Sequence, residues 1–286
     1  MPIVFCNTDD KAYQRRLNAL LSPIFLDFTF WYDLNLWDAR YESYALALDG
    51  EGGPLVSNIC VFKTQLLWRG KPMEALSVGA VCTAPQHRGK GYARMLMERV
   101  IERYPTTPMY LSANESVLDF YPRFGFRPAR EKLPVLDCAI DNACPPTKLA
   151  QKLAFDDPKV ARYLRERKVF SNVLDCANTD SISLFHIHLG PYKDCLYEIP
   201  ACQALAVAGQ EGETLRLHGV FALRPVRWES LAARLPFAGV RRVEFGFVPD
   251  ALGAPFRWEE FDGDPLFVRG AACELGDFKF PDLSFT

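Results

Sequence analysis

Apolar and polar positions along the chain predict alternating elements. Residues 9–21 read as a helix: Ala12, Leu17, Leu20 and Leu21 recur at three- and four-residue intervals, and Thr8 or Asp9 supplies a cap. An aromatic stretch follows, with Phe28, Trp31, Tyr32 and Trp37. Residues 41–49, 55–68 and 71–83 read as strands separated by the turn formers of 50–54 and Arg69-Gly70, which predicts an antiparallel meander. The segment Gln86 to Gly91 then opens a helix that runs to Tyr104 and stops at Pro105. Ala93, Leu96, Met97, Val100 and Ile101 form its apolar stripe, with charged residues mainly opposite. A strand at 109–113, a short helix at 116–124 and a return strand from Gly125 complete this half.

Residues 141–147 turn polar and proline-bearing, so the chain divides into domains of 1–140 and 148–286. Beyond the boundary come a charged helix at 157–168, strands at 195–199, 202–209 and 214–223, a helix near 228–235 and a strand at 240–248. Three strands, a helix and a strand repeat the order of residues 41–113. This internal repeat rests on element order, without residue identity.

A length of 286 residues suits two domains. Lys+Arg 33 against Asp+Glu 35 leaves a net charge of −2, which gives no global attraction to nucleic acid or an anionic membrane. The apolar run at 20–26 is broken by Ser22 and Pro23 and is too short to span a bilayer, and no basic leader precedes it. Nine scattered cysteines without a C-x-x-C pair predict reduced, buried thiols and a soluble cytoplasmic protein. His186-x-His188, read on a strand, turns both rings to one face, and no clustered metal ligands are expected.

One segment concentrates chemistry. From Val78 an apolar strand runs into the loop Gln86-His-Arg88-Gly89-Lys90-Gly91 and then into the helix starting at Tyr92-Ala93. The first turn of a helix leaves about four N–H groups unpaired and carries about half a positive charge. Gly89 and Gly91 clear the backbone for a phosphate, and Arg88 and Lys90 add charge. A dinucleotide fingerprint would need glycine where Arg94 stands, and a Walker loop would need Ser or Thr after Gly-Lys.

The run Val81-x-Thr83-x-Pro85-Gln86-x-x-Gly89-x-Gly91-x-Ala93 resembles the acetyl-CoA-binding motif of the GNAT N-acetyltransferase superfamily. A second match, Asn114 through Tyr121-Pro-Arg-Phe124-Gly125-Phe126, follows in the family's order and spacing. The resemblance implies a mixed α/β sheet, a GNAT-like acyl-CoA N-acyltransferase fold, in tandem with a degenerate second copy. It implies that the strands ending at Thr83 and starting at Met109 run parallel and splay apart to admit pantetheine. Backbone at Val81 and Thr83 would then pair with the pantetheine amides, and N–H groups across Arg88–Ala93, Tyr92 included, would hold the pyrophosphate. Asn114 stands where a side chain meets the cofactor arm, and Tyr121 where a phenol faces the thioester sulfur as general acid. Glu74 lies near the position of some family bases, one residue out of pleat phase. Phe28, Trp31 and Tyr32 lie where the family covers its acceptor, a small-molecule or protein amine.

The second half offers Arg224-Pro-Val-Arg227 at the equivalent junction, with no glycine pair. Its expected roles are shaping the acceptor cleft, plain support, or dimer contact through residues 278–285. Alternative readings for the whole are a non-catalytic acetyl-CoA-binding or regulatory protein and an interaction module keeping only the fold.

Overall fold

The computed structural model describes residues 1–140, 149–270 and 276–286. The expected boundary at 141–147, Cys144 and Cys273 lie outside the described residues. The first half contains β1 (Ile3–Cys6), α1 (Lys11–Leu21), α2 (Thr29–Asp33), β2 (Tyr41–Ala47), β3 (Leu55–Trp68), β4 (Lys71–Thr83), α3 (Tyr92–Arg103), β5 (Met109–Ser112), β6 (Arg127–Ala129) and β7 (Lys132–Ile140). There follow β8 (Gln151–Lys152), α4 (Pro158–Glu166), β9 (Leu174–Cys176), α5 (Asp180–Leu189), β10 (Leu196–Ile199), β11 (Ala204–Glu211) and β12 (Thr214–Ala222). The chain closes with α6 (Trp228–Ala232), β13 (Val240–Phe245), β14 (Arg257–Glu260) and β15 (Leu266–Arg269).

Two mixed sheets result. The first runs β1-β2-β3-β4-β5-β15-β6, with β9 added along β3, and the second runs β14-β7-β13-β12-β11-β10-β8. Read from opposite edges, the two orders are the same, including one parallel pair each, β4 with β5 and β12 with β13. The repeat therefore reaches past the five elements legible in the sequence to all seven strands of each path.

The halves do not close separately. β7, from the first half, inserts antiparallel between β13 and β14, while β15, from the second, inserts antiparallel between β5 and β6. Phe267 of β15 is buried in the cluster that holds Leu96, Met97, Leu111 and Tyr121 of the first half. The expected division near residue 140 thus falls between sheets that exchange a strand.

Several local expectations are corrected. Asp10, rather than Thr8 or Asp9, caps α1 by accepting from the N–H groups of Ala12 and Tyr13. The short helix expected at 116–124 is two separate 3₁₀ turns, Glu115–Val117 and Tyr121–Phe124; Pro122 has no N–H to continue a helix. His186 and His188 lie on helix α5, not on a strand. There His186 Nε2 bonds the Phe285 carbonyl at 2.8 Å and His188 stacks on Phe30. Of the roles open to the 278–285 segment, shaping the acceptor cleft or contacting a second copy, the structure shows it packed within the chain, with Phe278, Phe280 and Leu283 buried. Among the described residues no helix is long and apolar enough to cross a membrane.

Candidate active site

The site forms where β4 leaves β5. These parallel strands share only two register pairs, Leu76 with Met109 and Ser77 with Tyr110. Beyond Ser77, β4 is held by β3 alone, and a bulge bends it: Ala80 and Val81 together oppose Ile59, between the pairs Cys60–Gly79 and Asn58–Cys82. Ala80 takes φ +48°, a left-handed backbone rare for alanine. A buried chain of hydrogen bonds pins it, from Tyr13 through Ser43 to Asn58, whose Nδ2 donates to the Ala80 carbonyl at 3.0 Å.

After Thr83 the chain makes a 3₁₀ turn at Pro85–His87 and reaches α3 through Gly89 (φ +74°) and Gly91 (φ +77°). A Cβ on either glycine would meet nothing within 4 Å, so the positive φ, not crowding by the protein, calls for glycine. Gly91 caps α3 without a side-chain bond, and the first turn carries no acidic residue, so its N–H groups face an exposed loop bearing Arg88 and Lys90. Gln86 is also exposed and lines a groove of about 660 Å³ shared with Arg16 and Pro54. Tyr92 and Ala93 are half-buried. Arg88 Nε donates to the Thr83 carbonyl at 3.1 Å, so one lone pair of that oxygen is already engaged. Val81 packs beside the cluster containing Tyr92 and Tyr121.

Tyr121 opens its 3₁₀ turn with the ring against Phe120, Phe126 and Phe267. Its hydroxyl has no hydrogen-bond partner among the described residues. Burial pushes its pKa up to about 12, which keeps the phenol protonated at neutral pH. Asn114 is exposed, and its Oδ1 caps the following turn, Glu115–Val117, by accepting from Ser116 N, which leaves Nδ2 for a ligand. Glu74 is exposed on β4, pairs in register with Gln65 and stands before the parallel contact at Leu76, on the far side from the splay. It does not meet the other candidates.

Phe28, Trp31 and Tyr32 do come together. With Trp37 and Tyr41 they line an apolar cavity of about 240 Å³ whose floor is Gly79 and Ala80 of the bulge. Two further walls come from the second half by sequence. Ile182 and Phe185 of α5 close one side, Phe185 stacking on Phe28 at 5.7 Å. The tail closes another with Phe285 and Thr286. Thr286 Oγ1 and Ser77 Oγ lie 2.6 Å apart, and a Cβ on Gly79 would come within 2.9 Å of Thr286, so only glycine admits the tail here. Cys60 also lines the cavity, and burial pushes its thiol up to about 11. It is a poor nucleophile at neutral pH.

Residues 11–129 match the family described as Acetyltransferase (GNAT) domain. No curated protein sequence matches the chain. A probable N-acyltransferase from Enterococcus faecalis V583 superposes with TM-score 0.60 at 12% identity, covering 96% of this chain and 74% of that one. Eis1 from Mycobacterium abscessus gives 0.56 at 17% identity, over 94% and 73%. A GCN5-related N-acetyltransferase from Kribbella flavida gives 0.54 at 15%, over 96% and 72%. At these identities the likeness shows the fold, and it extends over both halves.

Proposed function

We propose that this protein, whose residues 11–129 match the family described as Acetyltransferase (GNAT) domain, moves an acetyl group from acetyl-CoA directly to an amine. The observation that carries the reading is the splay of β4 from β5 beside a glycine-bearing helix start. Val81 and Thr83 pair with pantetheine, the N–H groups from Arg88 to Ala93 hold pyrophosphate, and Asn114 Nδ2 meets the cofactor arm. The amine enters from the cavity beneath Phe28, Trp31 and Tyr32. Its lone pair attacks the thioester carbonyl, the C–S bond breaks, and Tyr121 donates a hydrogen bond or its proton to the departing thiolate. The high pKa of Cys60 speaks for direct attack over an acetyl-cysteine intermediate. Glu74, exposed beyond the splay, has no part in this reading; the amine proton leaves to water at the cleft.

The second half is read as a copy without a cofactor loop whose helix α5 and tail complete the acceptor wall. Calorimetry with acetyl-CoA tests the reading: one equivalent should bind per chain, and saturation at one hundred times Kd should stabilise the fold by about 2.7 kcal/mol. No binding, or two equivalent sites, would overturn it. Binding without turnover on any amine would favour a regulatory acetyl-CoA-binding protein instead.

A further inference from the structure

Among the described residues, Asn35, Asp49, Arg69 and Gln203 share a positive φ with Ala80, but they lie between elements; Ala80 alone takes it within a strand. A left-handed backbone is disfavoured for alanine by roughly 5- to 30-fold, so the surroundings must hold it. Three polar side chains do so. Tyr13 of α1, Ser43 of β2 and Asn58 of β3 run in file to β4, each at most 1% exposed.

The direction of every hydrogen bond in this file is determined. Only an N–H can meet the Ala80 carbonyl, so the Asn58 amide turns Nδ2 towards it, 3.0 Å away, and leaves Oδ1 for Ser43 at 2.6 Å. Ser43 then gives its one hydroxyl proton to Oδ1, and Tyr13, 2.6 Å from Ser43 Oγ, donates in turn. Nδ2 also reaches Cys60 Sγ at 3.4 Å. No polar atom of Asn58 is left unpartnered, which fixes its rotamer and the carbonyl it serves.

That carbonyl belongs to the peptide where two surfaces meet. Ala80 lines the aromatic cavity together with Cys60, while Val81, the next residue, packs beside the cluster of Tyr92 and Tyr121. Both residues oppose Ile59, and a bulge of this kind leaves one of them outside the ladder with β3. The ladder alone therefore does not fix the peptide between them.

Resting on the acetyl-transfer reading above, we infer that Asn58 is a positioning residue. By donating to the Ala80 carbonyl it holds the left-handed turn of β4 that sets the strand edge for pantetheine and the floor beneath the amine. It touches neither substrate. Without this bond the population of that edge falls by the factor given above, and the apparent Kd for acetyl-CoA rises by the same factor.

The test is calorimetric titration of the full chain with acetyl-CoA, with thermal unfolding recorded for each variant. Asn58→Leu keeps the branched shape and removes the donor; it should raise Kd about 5- to 30-fold. Adding Ala80→Gly to it should restore at least half of that loss on a logarithmic scale, because glycine accepts positive φ without the hydrogen bond. Ala80→Gly alone is the reference. A merely structural role gives the opposite sign, since glycine inside a strand adds to the damage. Should Asn58→Leu not fold, Ser43→Ala, which frees the Asn58 amide to turn, should raise Kd about threefold or more, again relieved by Ala80→Gly. If the wild-type chain binds acetyl-CoA and these variants bind it equally well, or the double variant binds no better than the single, the inference falls and the cofactor reading stands. If the wild-type chain does not bind it, both fall together.

Discussion

The two halves build the same junction twice and keep a cleft at only one of them. In the first, β4 and β5 share two register pairs before diverging, and a 12-residue helix starts behind Gly89 and Gly91. In the second, β12 and β13 share four pairs, the linking helix has five residues, and Arg224 is tied to the Ala201 carbonyl. The divergence that follows is occupied: Asp282 N donates to the Gly246 carbonyl, and Leu283 packs in the cluster of Phe221. The following turn also repeats. A 3₁₀ turn ends at a left-handed glycine, Gly125 in one half and Gly253 in the other, but four residues earlier stand Tyr121 and Pro249 respectively. The parallel pair is common to both halves; the unpaired strand edge, glycine loop and phenol on which the proposed cofactor site rests coincide in the first alone.

The largest expected effect breaks the idea of separate halves. Phe267→Ala, in the second half by sequence, removes a ring from the first half's core and should cost about 3–5 kcal/mol in chemical denaturation. A loss below about 1 kcal/mol would show that the strand exchange contributes little. Next, Tyr121→Phe should lower kcat by roughly 10²–10⁴-fold with acetyl-CoA affinity nearly unchanged; normal turnover, with chemistry limiting, would leave Tyr121 as packing only. Because burial raises the folded-state phenol pKa to about 12, its proton survives as pH rises, and kcat should show no descending limb between pH 7 and 10. A limb near pH 10 would mean a solvated phenol. Smaller still, Gly91→Val places a branched residue at φ +77° and should weaken acetyl-CoA binding at least tenfold while costing about 1–3 kcal/mol in stability. Arg224→Ala, at the matching place in the second half, should leave acetyl-CoA affinity unmoved. A shift there in calorimetry would reveal a second cofactor contact.

The glycine-bearing loop and the helix it opens were legible because their signals are local: strand, glycine pair and helix stripe follow one another within a few residues. The three-stranded meander was legible for the same reason. β15 was not, since four residues, Leu266 to Arg269, carry no periodic signal and their partners β5 and β6 lie in the other half. β7 was obscured by Pro134 and Asp137, which interrupt its alternation. Helix α5 misled for a different reason: Ser181-Ile-Ser-Leu-Phe-His-Ile-His mixes polar and apolar residues at a strand-like spacing, and tertiary packing decides its form. Hence Phe28, Trp31 and Tyr32 could be placed by resemblance, while their opposite walls, Ile182, Phe185 and Thr286, emerge only from folding.

The exchanged strand also bears on synthesis. At 5–20 residues per second, roughly 10–30 s separates the emergence of Ser112 from that of its partner Leu266. Throughout that interval the β5 edge beside the proposed cofactor cleft has no neighbour on its outer side, and such edges invite pairing with other chains. The nascent first half, glycine loop included, is therefore an aggregation-exposed intermediate, and the proposed acetyl-CoA binding must await its completion by β15. Ribosome-arrested chains ending before residue 266 should be protease-sensitive and insensitive to acetyl-CoA, and chains extended past β15 should become protected in a single step.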